Sequence, residues 1–194
     1  MTDASPWVAR WAYLIAPGGT VLDVAAGSGR HTAFLAARGH AVTAIDRDSA
    51  ALQPLAAFAT TLVADIEKGP WPLAGRTFDA VVVTHYLWRP LFAELLAALA
   101  PGGVLIYETF AAGNETVGRP ARPEFLLARG ELLRAAAGLR IVAFEDGFLG
   151  NPERFVQRIV AAREIAAARP MRFPLDGPAV AGGSLESSDS GKHA

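Results

Sequence analysis

The chain has 194 residues, of which 52% are hydrophobic, so we expect one domain with a substantial core and not a second full domain. Its formal net charge of −1 and the lack of any cluster of lysine and arginine disfavour a protein that binds nucleic acid. The absence of cysteine excludes disulfides, thiolate metal sites and cysteine-dependent chemistry, and we expect no metal ligands.

The sequence also argues against a membrane protein. No apolar run approaches the roughly 20 residues that a membrane-spanning helix needs, and residues 1–7 lack the pattern of a secretory leader. We therefore expect a cytoplasmic protein with neither a nucleic acid nor a membrane as partner. The predicted domain covers residues 1–169. Residues 170–194 are rich in Pro, Gly, Ser and Asp, so they are predicted to form a disordered tail.

The first predicted element is a short amphipathic helix. Residues 7–16 carry apolar side chains at helical spacing, and a Pro-Gly-Gly sequence then stops the helix and turns the chain. Trp7 and Trp11 are predicted to be packing residues. Tyr13 is a candidate for covering a ligand as part of a lid.

A glycine loop follows the first predicted strand. The apolar, β-branched run at residues 20–24 is typical of a buried parallel strand. It stops at Gly27 and Gly29, which allow backbone conformations and close approaches that a Cβ would block. A helical pattern at residues 31–38 follows, so the loop joins a strand end to a helix N-terminus, where free N–H groups favour the negative end of a ligand. This arrangement suits a ligand that contains a nucleoside.

The details of the loop distinguish two kinds of nucleoside site. The dinucleotide fingerprint needs a third glycine three residues after Gly29, and Thr32 occupies that position. An acidic residue, Asp23, stands inside the strand, four residues before Gly27. Both features disfavour a nicotinamide cofactor.

The second predicted strand, residues 41–45, ends at Asp46. A carboxylate at this strand end, 17 residues beyond Gly29, can accept hydrogen bonds from both ribose hydroxyls of an adenosine. The alternative role is to cap the next predicted helix, residues 49–59, for which Asp48 is the better candidate. We expect the two aspartates to divide these tasks.

The remaining elements complete an α/β pattern. Further strands, each ending in polar residues, are predicted at residues 60–63, 78–84 and 104–107, with a helix at residues 91–100. Residues 110–122 form a loop without a clear period. A helix at residues 131–137 and a hairpin with strands at residues 139–144 and 155–161 follow. Strand and helix alternate five times before the hairpin, which demands a mostly parallel sheet with helices on both faces.

The pattern D-x-A-x-G-x-G, from Asp23 to Gly29, resembles motif I of the class I S-adenosylmethionine-dependent methyltransferases, and P-G-G-x-L at residues 101–105 is similar to another pattern of that family. Ala25 stands where many members carry a glycine. The resemblance implies a Rossmann-like sheet of seven strands in the order 3-2-1-4-5-7-6, with strand 7 antiparallel. The stretch GSGRHTAFLAARGHAVTAID resembles the small bacterial methyltransferases related to the tellurite-resistance protein.

This resemblance implies S-adenosylmethionine as cofactor and a set of site residues at the carboxyl ends of the strands. Arg30 would approach the methionine carboxylate, Asp46 the ribose and Asp65 the adenine amino group, with Ile66 against the ring. The full set of cofactor residues so implied is Asp23, Ala25, Gly27, Gly29, Arg30, Asp46, Arg47, Asp65, Ile66 and Thr84.

Candidate catalytic residues follow the fourth and fifth strands. They are His85 and Glu108 at the strand ends and Arg119 in the loop. Arg119 and Arg122 follow near a pocket without lysine, so an acceptor with anionic character could be held there and oriented or deprotonated by His85. The alternative is that His85 only bonds the backbone at the strand end and that the two arginines are solvated.

The implied function is methyl transfer to a small-molecule acceptor, which the sequence leaves open as a metabolite, a thiol or a metalloid oxyanion. The alternatives are a nicotinamide-dependent oxidoreductase and a non-catalytic module that binds S-adenosylmethionine. The oligomeric state is equally open, as a monomer or a homodimer.

Overall fold

A computed structural model of the protein describes residues 3–166 and 170–177. Seven strands form one sheet in the order β3-β2-β1-β4-β5-β7-β6. Strands β1 to β5 pair in parallel, whereas β7 is antiparallel to both of its neighbours, β5 and β6. The predicted fold class is confirmed. The strands are β1 (Thr20–Val24), β2 (Ala41–Asp46), β3 (Thr60–Val63), β4 (Phe78–Thr84), β5 (Leu99–Phe110), β6 (Arg140–Gly150) and β7 (Glu153–Ala162).

The helices are shorter than their sequence patterns predicted. They are α1 (Pro6–Trp11), α2 (Arg30–Ala36), α3 (Ser49–Leu52), α4 (Phe92–Ala97) and α5 (Glu131–Ala135). The predicted first helix continues as a 3₁₀ turn at Ala12–Leu14, and the helix predicted at residues 49–59 changes to 3₁₀ geometry at Gln53–Ala57. In the second case the cause is Pro54, which lacks an N–H and clashes with the preceding turn of an α-helix.

Three strands are longer than predicted. Strand β5 already pairs with β4 through Leu99 and Phe78, and its register shifts across the Pro-Gly-Gly sequence before Val104 pairs with Ala80. Strands β6 and β7 pair along their whole length, from Arg140 with Ala162 to Gly150 with Glu153, so only two residues connect them. The long hairpin closes the sheet beside β5.

Alternation along the central strands buries both faces of the sheet. Val81 and Val83 of β4 belong to one cluster of buried side chains, which also holds Leu95 of α4. Ala80 and Val82 belong to the opposite cluster, together with side chains of α1 and α2. Each fully buried aliphatic side chain contributes about 1.5–3 kcal/mol to stability, so the two apolar layers hold the central strands, and with them the strand ends, in fixed positions.

The face that packs against α1 and α2 also holds the chain near its end. Phe173 packs against this cluster, and the hydroxyl of Tyr13 donates a hydrogen bond to the carbonyl of Pro174. Tyr13 lines a cavity with Arg38 and His40, close to where β2 begins. A lid over a ligand would instead lie at the other edge of the sheet, where the parallel strands end. The predicted lid role of Tyr13 is therefore wrong.

Residues 170–177 contain no helix or strand. The rest of the predicted tail, residues 178–194, lies outside the described residues, so the boundary at residue 170 stays a prediction. Within residues 3–166 and 170–177, no helix combines the length and apolar character needed to cross a membrane.

Candidate functional site

A cavity of about 390 Å³ opens at the carboxyl ends of β1, β2 and β3, on the side where the parallel strands end. We call it the cofactor cavity. Its lining residues are Ala25, Gly27, Asp46, Arg47, Asp48, Ala64, Asp65, Ile66, Glu67 and Tyr86. Of the predicted cofactor residues, the structure therefore brings Ala25, Gly27, Asp46, Arg47, Asp65 and Ile66 together around one space.

A second large cavity, of about 450 Å³, lies at the opposite edge of the sheet, where the strands begin. Its walls are mostly small and hydroxyl side chains, and Arg76 is its charged residue among the described ones. Because it brings no set of polar groups together, we assign no chemistry to it.

The glycine loop has three residues in the left-handed region of backbone conformation. Gly27 has a φ of +53° and Gly29 a φ of +76°, and Ala25 adopts a φ of +54° although it carries a Cβ. A Cβ on Gly29 would lie 2.3 Å from the side chain of buried Leu55, whereas one on Gly27 would meet nothing within 4 Å. Gly29 is thus needed for close packing as well as for conformation, and Ala25 is a strained residue at the site.

Asp46 ties the glycine loop to β2. Its Oδ2 accepts a hydrogen bond from the Gly27 N–H at 2.8 Å, and its Oδ1 accepts one from the Asp48 N–H at 2.9 Å. Each oxygen keeps a lone pair that a ribose hydroxyl can use. The carboxylate of Asp48 in turn accepts hydrogen bonds from Ala50 N–H and Ala51 N–H, which confirms Asp48 as the cap of α3.

Asp23 lies beneath the loop and does not line the cofactor cavity. Its side chain is buried, and its Oδ2 accepts a hydrogen bond of 2.6 Å from the hydroxyl of Thr32. Burial raises the pKa of Asp23 to about 6, against the opposing effect of the Thr32 hydrogen bonds. Thr32 stands where a dinucleotide-binding loop has its third glycine. Its hydrogen bond to Asp23 therefore joins α2 to β1.

A buried hydrogen-bonded chain connects the N-terminal segment to the end of β4. Nε2 of His31 accepts a hydrogen bond from the Ser5 N–H at 3.1 Å, so in the neutral ring Nδ1 carries the proton and donates to the Thr84 hydroxyl, also at 3.1 Å. Burial lowers the pKa of His31 to about 3, which keeps the ring neutral. Thr84, a predicted cofactor residue, thus bonds His31 and does not line the cofactor cavity. Sequence reasoning missed Ser5, whose signal is a serine directly before Pro6 at the start of a helix.

Glu108 does not lie at the rim as a free catalytic base. Its side chain is 0% exposed and faces the N-terminal segment, where Oε1 accepts a hydrogen bond of 2.8 Å from the Ser5 hydroxyl. Its Oε2 pairs with Arg158 at 3.3 Å, and Arg158 also bonds Glu145 at 2.7 Å. Because the Glu108 carboxylate is fully buried and paired with Arg158, the geometry favours a structural role over the expected catalytic one, which stays a prediction.

A smaller cavity of about 230 Å³ adjoins the cofactor cavity and shares Glu67 and Tyr86 with it. We call it the acceptor cavity. It is lined by Glu67, His85, Tyr86, Leu87, Thr109, Phe110, Pro120 and Phe125. His85 has a φ of +54°, and its N–H donates to the carbonyl of Glu108 at 2.9 Å, so β5 fixes this strained residue at the end of β4.

Of the three arginines singled out in the sequence, Arg30 lies near His85, whereas Arg119 and Arg122 do not line the acceptor cavity. Arg30 lies beside His85, with 3.4 Å between its guanidinium and Nδ1 of the imidazole. Arg119 is exposed, and the neighbouring Pro120 lines the acceptor cavity in its place. Arg122 forms an ion pair with Glu124. The loop therefore brings an apolar wall, and not the expected guanidinium groups, to the acceptor cavity.

Comparison with known proteins agrees with this geometry. Residues 21–103 match a family model described as a methyltransferase domain, and no curated protein matches the chain. Among solved structures, TehB from Haemophilus influenzae aligns with a TM-score of 0.70 and 20% identity, over 84% of this chain and 64% of that one. The chain thus spans about 64% of the length of the Haemophilus protein.

Two further structures show the same fold. A TehB-like S-adenosylmethionine-dependent methyltransferase from Corynebacterium glutamicum aligns with a TM-score of 0.62 and 20% identity, over 84% of this chain and 90% of that one. The 1,6-didemethyltoxoflavin-N1-methyltransferase of Burkholderia thailandensis, solved with S-adenosylhomocysteine, has a TM-score of 0.62 and 20% identity, over 82% and 77% of the two chains. The resemblance in fold to class I S-adenosylmethionine-dependent methyltransferases, the TehB type among them, is confirmed.

Proposed function

We propose that this chain, which has the fold of the class I S-adenosylmethionine-dependent methyltransferases and a matching methyltransferase domain, transfers a methyl group from S-adenosylmethionine to a small-molecule acceptor. The observation that carries the proposal is the pair of adjoining cavities at the carboxyl edge of the sheet. They share Glu67 and Tyr86, so a donor in one and an acceptor in the other would meet there.

The residues of the cofactor cavity fit an adenosine. Asp46 offers free lone pairs at the end of β2, where ribose hydroxyls need a charged acceptor. Ile66 is buried and provides an apolar surface for the adenine ring, and Asp65 beside it provides an acceptor for the amino group. The Glu67 N–H bonds Asp65 at 3.1 Å and holds the pKa of its carboxyl below the usual value.

When bound, S-adenosylmethionine supplies an electrophilic methyl carbon on a sulfonium. The chain contributes mainly position, because an in-line displacement depends on holding the acceptor lone pair against that carbon. His85 and Tyr86 are fixed for this purpose by β5, since the Tyr107 hydroxyl donates to the Tyr86 carbonyl at 2.9 Å. The side chains of Leu87, Phe110 and Phe125 give the acceptor cavity a largely apolar wall.

Calorimetry with S-adenosylmethionine, S-adenosylhomocysteine and NAD tests the proposal. We expect binding of the first two and none of NAD, followed by release of S-adenosylhomocysteine when an acceptor panel is added. Preferential binding of NAD would support the oxidoreductase alternative and refute the proposal. Binding of S-adenosylmethionine without turnover by any acceptor would support a non-catalytic module.

A further inference from the structure

The walls of the acceptor cavity are mostly apolar and aromatic, although Glu67 and Thr109 also line it. The ring of His85 packs against that of Phe110, with centroids 5.0 Å apart, and Phe125 contributes a third ring although its side chain is 42% exposed. In the described part of the chain, Glu67 is the acidic side chain at this cavity, and no arginine or lysine lines it. The volume of about 230 Å³ lies below the roughly 300 Å³ at which pockets for drug-sized ligands begin, so the occupant is small.

His85 is a hydrogen-bond donor and not a free base. A guanidinium only donates, so the contact of 3.4 Å makes Nδ1 of His85 the acceptor of an Arg30 N–H. In the neutral ring the proton then lies on Nε2. Partial burial and the nearby Arg30 charge both lower the pKa of His85, which favours the neutral ring.

Glu67 is the acceptor that complements this donor. Its carboxylate lies at the junction of the two cavities, next to the hydroxyl-bearing ring of Tyr86. Burial and the Glu67 carboxylate both raise the pKa of Tyr86, which is consistent with their proximity. An anionic acceptor would be repelled by this carboxylate, and the Arg30 guanidinium, which contacts His85, does not itself line the cavity.

Resting on the proposed function, we propose that the methyl acceptor is a small uncharged heteroaromatic molecule with a ring N–H, packed against the rings of His85, Phe110 and Phe125, and that Glu67 accepts that N–H. As a second, unprotonated nitrogen of the same ring system donates its in-plane lone pair to the methyl carbon, the carbon–sulfur bond breaks and its electron pair remains on sulfur. The N–H proton passes to the Glu67 carboxylate and from there to water.

Calorimetry on the full chain saturated with S-adenosylhomocysteine tests this assignment. The probes are benzimidazole, indazole and 7-azaindole, compared with their N-methyl derivatives, benzoate and tellurite. We expect at least one N–H probe to bind and its N-methyl derivative to bind about tenfold more weakly or worse, since a hydrogen bond to a charged group is lost. Benzoate and tellurite should bind more weakly than that probe.

Variants assign the effect to Glu67. Glu67→Gln should weaken the best N–H probe by about tenfold or more and leave the affinity for S-adenosylhomocysteine within about threefold. Glu153→Gln makes the same chemical change at an exposed position on the β6–β7 hairpin and should change neither affinity.

Failure of S-adenosylhomocysteine to bind would overturn the proposed function and this inference with it. If S-adenosylhomocysteine binds but all three N–H probes fail, or benzoate or tellurite binds best, the acceptor class alone is refuted. An unchanged probe affinity in Glu67→Gln would refute the role of Glu67.

Discussion

Replacement of Asp46 by alanine separates a ligand-binding role from a structural one. The Asp46 carboxylate accepts two backbone hydrogen bonds, at 2.8 and 2.9 Å. Asp79 is a matched control at the opposite edge of the sheet. Its Oδ2 accepts the N–H and the hydroxyl of Thr20 at 2.7 and 2.8 Å, and it is partly exposed like Asp46.

The two variants should lose similar stability but differ in affinity. Hydrogen bonds to charged groups contribute about 1.5–3 kcal/mol, and solvent reduces this value at partly exposed sites, so each variant should lose about 1–3 kcal/mol of unfolding free energy. For a chain of this size each kcal/mol lowers the Tm by about 2–4 °C. Asp46→Ala should additionally weaken S-adenosylmethionine binding by about 1.5–3 kcal/mol, or about 10- to 150-fold.

Thermal unfolding without ligand measures the first effect, and calorimetry well below both melting temperatures measures the second. Asp79→Ala should bind S-adenosylmethionine like the wild type. Unchanged affinity in Asp46→Ala, or an equal loss in both variants, would refute the assignment of Asp46 to the ribose.

Three further changes test the loop and the buried carboxyl groups. Gly29→Ala should lower the free energy of unfolding, measured in urea, by about 2–4 kcal/mol, because its Cβ would both strain the backbone and clash with Leu55. Gly27→Ala should lower it by only the backbone strain, about 1–2 kcal/mol. Equal losses in the two variants would contradict the close approach of Leu55 to Gly29. The folded-state pKa of Asp23, about 6, lies above its ordinary 3.8, so the unfolded state loses its proton first and the wild type should lose up to about 3 kcal/mol as the pH rises from about 4 to about 6. Asp23→Asn should abolish that loss, and identical pH profiles of the two proteins would refute the shift. Glu108→Gln should lower the free energy of unfolding by about 2–3 kcal/mol, because it weakens the buried ion pair with Arg158, and should change kcat only a few-fold. A large loss of kcat at unchanged stability would instead support a catalytic role for Glu108.

Local patterns in the sequence predicted the α/β class and the glycine loop, whereas the strand order and the roles of Asp65 and Ile66 were implied by the family resemblance. Apolar runs predicted the central parallel strands, because strands covered on both faces need continuous apolar residues, whereas β5, β6 and β7 extend beyond their predicted ends. The spacing of Asp23, Gly27 and Gly29 predicted the loop. The place of Asp46 at the end of a strand predicted that its carboxylate lies at the edge of the sheet where the cofactor cavity opens. These features are local: strand, turn and cap chemistry act over a few residues, so a reader of the sequence can recognise them.

The roles of the polar residues around the acceptor cavity depended on contacts between distant segments. Glu108 and Tyr107 are adjacent in β5, yet alternation along the strand places Glu108 on the face where Ser5 donates a hydrogen bond to it and Arg158 pairs with it. Glu67 follows β3, and only the order of strands in the sheet brings it beside Tyr86 after β4. The sequence by itself determined which residues end each strand. The tertiary structure decided which of them share a cavity and which are buried in ion pairs, because those contacts join segments that are up to about 100 residues apart.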